Sequence, residues 1–263
     1  MKTSTSAFAF LLFAALSIGA PRLALASGQF SDVQIGLVRY PGGNWNPRPN
    51  AGQVLTQEIT FRTSVEVGDE PLAVVTLDDP GIFRYPVLLM AGDQAFPPLT
   101  EEQLSRLRHH NEAGGFLIID NSGDSERSYH EFDGSIRRML RRLFPGSSLA
   151  ALPSEHVLFR SFYRLDYPSG RNLRKGYVEG VTQGRRVSVV YIPNDLGGAL
   201  DRDRFGSWTF DLIPATGRQR EMALRLGVNL LMYALCLHYK DDHVHIRYLM
   251  KKRDWRIRPP GKP

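Results

Sequence analysis

A chain of 263 residues with 42% hydrophobic and 23% charged side chains holds enough apolar material for a globular domain with a buried core. Its single cysteine excludes an internal disulfide, so an oxidising compartment gives the fold no covalent brace. The formal net charge of +6 drops to +4 once Lys2 and Arg22 are set aside with the first segment, and the excess gathers at the far end.

The chain opens on Met1-Lys2, continues through an apolar run over 7–18, and reaches Ala24-Leu25-Ala26 before Ser27. A charged start, a short apolar stretch and an A-x-A-like site together predict a secretory signal peptide over 1–26. The apolar run is too short for a bilayer span, which needs about 20 residues. No cysteine near the cleavage site is available for acylation, and no twin arginine precedes the run, which leaves the general secretory route. Residues 27–246 are then one α/β domain, and 247–263 a basic tail carrying Arg247, Lys251, Lys252, Arg253, Arg256 and Arg258. Such a tail attracts an anionic membrane or wall surface, and export excludes nucleic acid as the physiological partner.

Within the domain, alternation over 33–38 predicts a strand, and Tyr40-Pro41-Gly42-Gly43-Asn44-Trp45-Asn46-Pro47 is turn chemistry throughout. Leu55, Ile59 and Val65 predict a helix over 53–65, followed by strands over 72–77 and 86–90. Thr100 stands as the N-cap of the next helix with Gln103 at the capping-box position, and Gly114-Gly115 ends it. On that helix His109-His110 are expected on the exposed side, near the negative end of the dipole. A fully apolar strand runs over 116–119 to Asp120. The next helix carries Ile136, Met139, Leu140 and Leu143 inward, which places Arg137, Arg138, Arg141 and Arg142 on a solvated face.

Strands over 177–182 and 186–192 join through Gln183-Gly184 as a hairpin. The irregular stretch over 201–216 is expected to be a surface loop or lid. Residues 218–237 form a helix apolar on nearly every side, interrupted by Asn229, which marks a buried core helix. Cys236 falls in its apolar run and is expected to be a small buried hydrophobe.

Strands and helices alternate through Phe144 with continuous apolar strands, the mark of a parallel sheet covered on both faces. Ligands of such sheets bind beyond the carboxyl ends of the strands. Those ends carry Tyr40 with Gly42-Gly43, Asp78-Asp79, Gly92-Asp93 and Asp120-Asn121-Ser122. Candidate ligand contacts are Tyr40, Asn44, Asp78, Asp120, Asn121, His156, Asn194 and Asp195. A rival set is catalytic: Ser122 as nucleophile with His156 as base and Asp120 as its orienting acid. A second rival is a metal at His243 and His245, which share a face if Asp241-Asp242-His243-Val244-His245 is extended. No motif calls for a cofactor. Trp45 and Tyr40 beside the glycine pair suit either stacking on a sugar or packing the turn onto the sheet end, and aromatics beside glycine are more often packing than platform.

Five stretches carry a resemblance: Val38-Arg39-Tyr40-Pro41-Gly42-Gly43-Asn44-Trp45, Tyr85-Pro86-Val87-Leu88-Leu89-Met90-Ala91-Gly92, Gly114-Gly115-Phe116-Leu117-Ile118-Ile119-Asp120, His156-Val157-Leu158-Phe159-Arg160-Ser161-Phe162-Tyr163, and Asn229-Leu230-Leu231-Met232-Tyr233-Ala234-Leu235. In that order and spacing they resemble the domain of unknown function 4159 family, itself similar to class I glutamine amidotransferase-like domains. The resemblance implies a three-layer α/β sandwich, flavodoxin-like, with a mostly parallel central sheet. To this the residue pattern adds the C-terminal hairpin and buried helix. It also implies a bacterial, exported setting beside envelope proteins with von Willebrand A domains.

In amidotransferase-like domains the nucleophilic cysteine stands in a G-x-C-x-G elbow. The matching place here reads Asp120-Asn121-Ser122-Gly123-Asp124, so thiol-dependent glutamine hydrolysis is excluded. The leading expectation is an exported, non-catalytic interaction or ligand-binding domain of the cell envelope. The alternative is a hydrolase of an envelope component using Ser122 and His156 or a metal at His243 and His245.

Overall fold

The computed structural model describes residues 33–237 apart from 66, 69 and 185. Seven strands form one sheet: β1 (Ile35–Arg39), β2 (Leu72–Thr76), β3 (Val87–Gly92), β4 (Phe116–Asn121), β5 (Ala150–Ala151), β6 (Glu179–Gln183) and β7 (Arg186–Ile192). Their order is β2-β1-β3-β4-β7-β6-β5. The first five in that row are parallel, and β6 and β5 add antiparallel. Successive residues of β4 face two different cores, Phe116 and Ile118 one, Leu117 and Ile119 the other. That period of two, apolar on both sides, is why the strand appears in sequence as an unbroken apolar run.

Helices α1 (Ala51–Arg62), α4 (Leu196–Leu200) and α5 (Gln219–Leu237) close the first core. Helices α2 (Glu101–Glu112) and α3 (Glu126–Leu143) close the second. The result is the expected three-layer α/β sandwich. Thr100 caps α2 as its sequence position requires: its hydroxyl accepts from the Gln103 N–H at 3.2 Å and the Gln103 side chain accepts from the Thr100 N–H at 3.1 Å. On α3, Arg138, Arg141 and Arg142 are exposed, while Arg137 is half-buried between Asp133 and Glu179. The polar interruption of α5 also has its reason. Fully buried Asn229 accepts from the N–H groups of Phe162 and Tyr163 and donates to the carbonyls of Leu158 and Tyr163, tying an irregular segment to the helix. Among the described residues, no helix is long and apolar enough to cross a membrane.

Two expectations need correction, and one strand leaves no trace in the sequence. Helix α1 ends at Arg62, before Val65, because Thr63 is extended; its hydroxyl donates to the Ile59 carbonyl and accepts from the Val65 N–H, a local alternative to the helical ladder. The two-residue β5 is too short to leave a pattern. His110 is buried at 2% exposure, unlike its exposed neighbour His109. Its ring fills the place where a side chain at Gly115 would stand, a Cβ there falling 2.1 Å from it, and Nε2 lies 2.7 Å from the Tyr85 carbonyl.

Candidate functional site

Strands β1, β3, β4 and β7 all release their chains at one edge of the sheet. Between β1 and β3, where the strand order reverses, Tyr40 is 2% exposed and packs its ring on Phe96 at 4.7 Å. Its hydroxyl donates toward the carbonyls of Ala91 at 2.8 Å and Asn44 at 3.1 Å, and burial pushes its pKa up. The Asn44 amide donates to Asp93 at 3.1 Å. Tyr40 and Asn44 thus fill this crevice with the turn itself, as expected for packing aromatics.

The charged centre lies one step further along the sheet, past the ends of β4 and β7. Asp120, the penultimate residue of β4, is buried and accepts from the backbone N–H groups of Leu196 at 2.8 Å and Gly197 at 2.7 Å. Burial, followed by the charge of Asp195, pushes its carboxyl up to about 7 against the pull of those two donors. Asp195 itself begins α4 with left-handed backbone, φ 52 and ψ 65, which aspartate tolerates because its short side chain bonds locally. Its carboxylate accepts from the Gly198 N–H at 2.9 Å.

Arg48 grips Asp195 with two bonds, Nε to Oδ1 at 3.1 Å and Nη2 to Oδ2 at 2.8 Å. The same guanidinium reaches the Ser122 carbonyl at 3.0 Å and Asp124 at 2.9 Å. Burial works against the Arg48 cation, but the Asp195 and Asp124 carboxylates outweigh it and leave its pKa raised. Arg171 bonds Asp124 as well, and stands 3.3 Å from Asp195. Phe210 offers its ring to both cations, 4.1 Å from Arg48 and 5.3 Å from Arg171. The irregular stretch over 201–216 is therefore a strap across the two arginines. Buried Asp201 pins it by accepting from the Thr209 hydroxyl at 2.6 Å and from the Asn50 N–H at 2.9 Å.

Of the candidate residues, Asp120 and Asp195 belong to this centre. Asn121 and Asn194 brace it: Asn121 donates to the Tyr129 carbonyl and the Tyr191 hydroxyl, and Asn194 ties Pro168 and Lys175 to the end of β7. Asp78 is apart from it, exposed at the end of edge strand β2 and bonded to the Gln103 amide. The trio of Ser122, His156 and Asp120 is not assembled. His156 accepts from the Leu158 N–H and its ring is 5.7 Å from Tyr233, which packs on Phe116 at the start of β4. Ser122 follows the end of the same strand, about 20 Å of strand rise away. The Ser122 side chain is fully buried, and its Oγ has no hydrogen-bond partner among the described residues. His243 and His245 lie outside the described residues, as do the segments 1–32 and 238–263 that include the leader and the tail.

Sequence reasoning missed the arginines. Arg48 stands between Pro47 and Pro49 in a turn that precedes a helix, a rigid mount for one long cation opposite several strand-end aspartates. That was the available signal. Arg171 and Phe210 come from irregular segments whose pairing only the tertiary fold decides.

No curated protein matches the chain. A family model described as a domain of unknown function, DUF4159, matches residues 34–235, which include every strand, every helical layer and the charged centre. The chain belongs to the DUF4159 family.

Proposed function

We propose that this protein is an exported, non-catalytic ligand-binding or interaction domain of the bacterial envelope, built on a degenerate amidotransferase-like fold. The parallel row β2-β1-β3-β4-β7 supports that kinship, and the three-part pattern over 1–26 supports export. One observation carries the non-catalytic reading. The groups best suited to acid–base work at the sheet end are committed to the chain: Asp120 to two backbone N–H groups, Asp195 to Arg48 and Gly198. A hydrolase needs a nucleophile with a base in hydrogen-bond reach. Ser122 and His156 are at opposite ends of β4, and Cys236 is in the last turn of α5, far in sequence from the bend after β4.

The centre offers a ligand its rim. Asp124 is exposed there; Arg174 donates to its backbone carbonyl at 3.1 Å, and exposed Lys175 follows Arg174 in the chain. The basic run over 247–258 supplies a second attachment, to an anionic membrane or wall surface or to an envelope partner such as a von Willebrand A-domain protein. A photoreactive residue at Lys175 is expected to capture a partner or ligand in the native envelope, while one at Glu112, at the opposite end of the sheet, captures none. Ester or amide turnover by the purified chain that vanishes in Ser122→Ala or on chelation sinks the proposal.

A further inference from the structure

Two arginines meet at one carboxylate that the solvent can also reach. Arg48 Nη2 and Arg171 Nη1 both bond the same oxygen of Asp124, whose side chain is 60% exposed, whereas theirs are 6% and 14% exposed. The Phe210 ring lies against both guanidinium groups. A pair of forked donors fixed by an aromatic floor is a carboxylate receptor in form, because guanidinium and carboxylate match geometrically. The second carboxylate on Arg48, Asp195, is buried and bound twice, so it cannot leave. Asp124 can: an exposed ion pair is weak, since water and salt compensate its loss. Behind it stands Ser122, whose carbonyl accepts from Arg48 and whose Oγ has no partner among the described residues.

We infer that the Arg48–Arg171 fork is a binding site for a ligand carboxylate, and that Asp124 occupies it as an intramolecular stand-in that swings out when the ligand enters. The inference rests on the reading of this sheet end as a binding face and names the chemistry it takes. The carboxylate has two sources, a free small acid or the C-terminus of a peptide, and the same arginine fork suits both.

The test is a calorimetric titration of the purified chain, at constant ionic strength with chloride as reference. The probes are acetate, acetyl-dialanine, and acetyl-dialanine amide, which lacks the carboxylate. Wild type is expected to bind acetate or acetyl-dialanine and to ignore the amide. Tighter binding of the peptide than of acetate identifies a chain terminus, and equal binding a free acid. Because a resident competitor lowers apparent affinity by the fraction of time the fork is open, Asp124→Ala is expected to tighten binding by about five- to tenfold. Adding Arg171→Gln to it removes the binding. If Asp124→Ala does not fold, Asp124→Asn, which keeps the shape and loses the charge, takes the same titration.

Wild type that binds no carboxylate up to 100-fold above the variant's Kd makes Asp124 a permanent brace and overturns the inference, as does a variant no tighter than wild type. A silent titration alongside specific crosslinking from Lys175 removes only the carboxylate. Turnover by the purified chain removes the non-catalytic reading and leaves the titration to decide the fork.

Discussion

The two ends of the sheet solve the same problem with opposite charges. At the amino end, Arg186 from β7 donates to the carbonyls of Asn111 in the last turn of α2 and of Gly114 and Gly115 just beyond it. At the carboxyl end, the N–H groups that open α4 have no helical partner, and Asp120 and Asp195 accept from Leu196, Gly197 and Gly198. One cation satisfied by neutral carbonyls completes the amino end. Two buried carboxylates repel each other, so the carboxyl end draws in Arg48 and Arg171, and those in turn draw in exposed Asp124. The difference is that only one end has an exchangeable member. The amino end is a seal, and the carboxyl end is a seal with a removable stopper.

Asp195→Ala strikes the carboxyl end hardest, since it leaves buried Arg48 only the exposed Asp124 carboxylate and the Ser122 carbonyl and also removes a residue suited to left-handed backbone. A loss of about 3–5 kcal/mol in urea unfolding is expected. At the amino end the weak point is space. Gly115→Ala puts a Cβ 2.1 Å from the His110 ring, and displacing that ring from its bond to Tyr85 should cost about 1–3 kcal/mol. Arg186→Ala leaves the α2 carbonyls without their cation and should cost about 1–2 kcal/mol, less than Asp195→Ala because no buried counter-charge is left behind. Should Arg186→Ala prove the more damaging of the two, the contrast between the ends fails.

A pH slope belongs to the carboxyl end alone. Asp120 is harder to ionise folded, at about 7, than unfolded. Its protonated form stabilises the fold fully below an unfolded-state pKa of about 3.9, and that stabilisation is lost as pH rises through the folded value. Thermal unfolding between pH 5 and pH 8 should therefore show a falling contribution that Asp120→Asn abolishes. A carboxyl chemical shift for Asp120 that titrates near 4 removes the basis of this prediction.

The layers were legible in the sequence because each depends on a short-range rule. The apolar run over 116–119 requires two cores, Thr100 with Gln103 requires a helix start, and Gln183-Gly184 requires a hairpin, whatever surrounds them. Position beyond the strand ends was also enough to find Asp120 and Asp195. Local rules fail where a residue's surroundings come from distant parts of the chain. His110 is buried because Gly115 vacates its place, which helical periodicity alone does not report. His156 and Ser122 are plausible partners by type, and the length of β4 keeps them apart. What the sequence alone determined was the layered α/β architecture and the edge where its polar residues gather. What the tertiary structure decided was their use, because ion pairs such as Arg48–Asp195 span 147 positions and close only when α1, β4 and β7 pack into one sheet end.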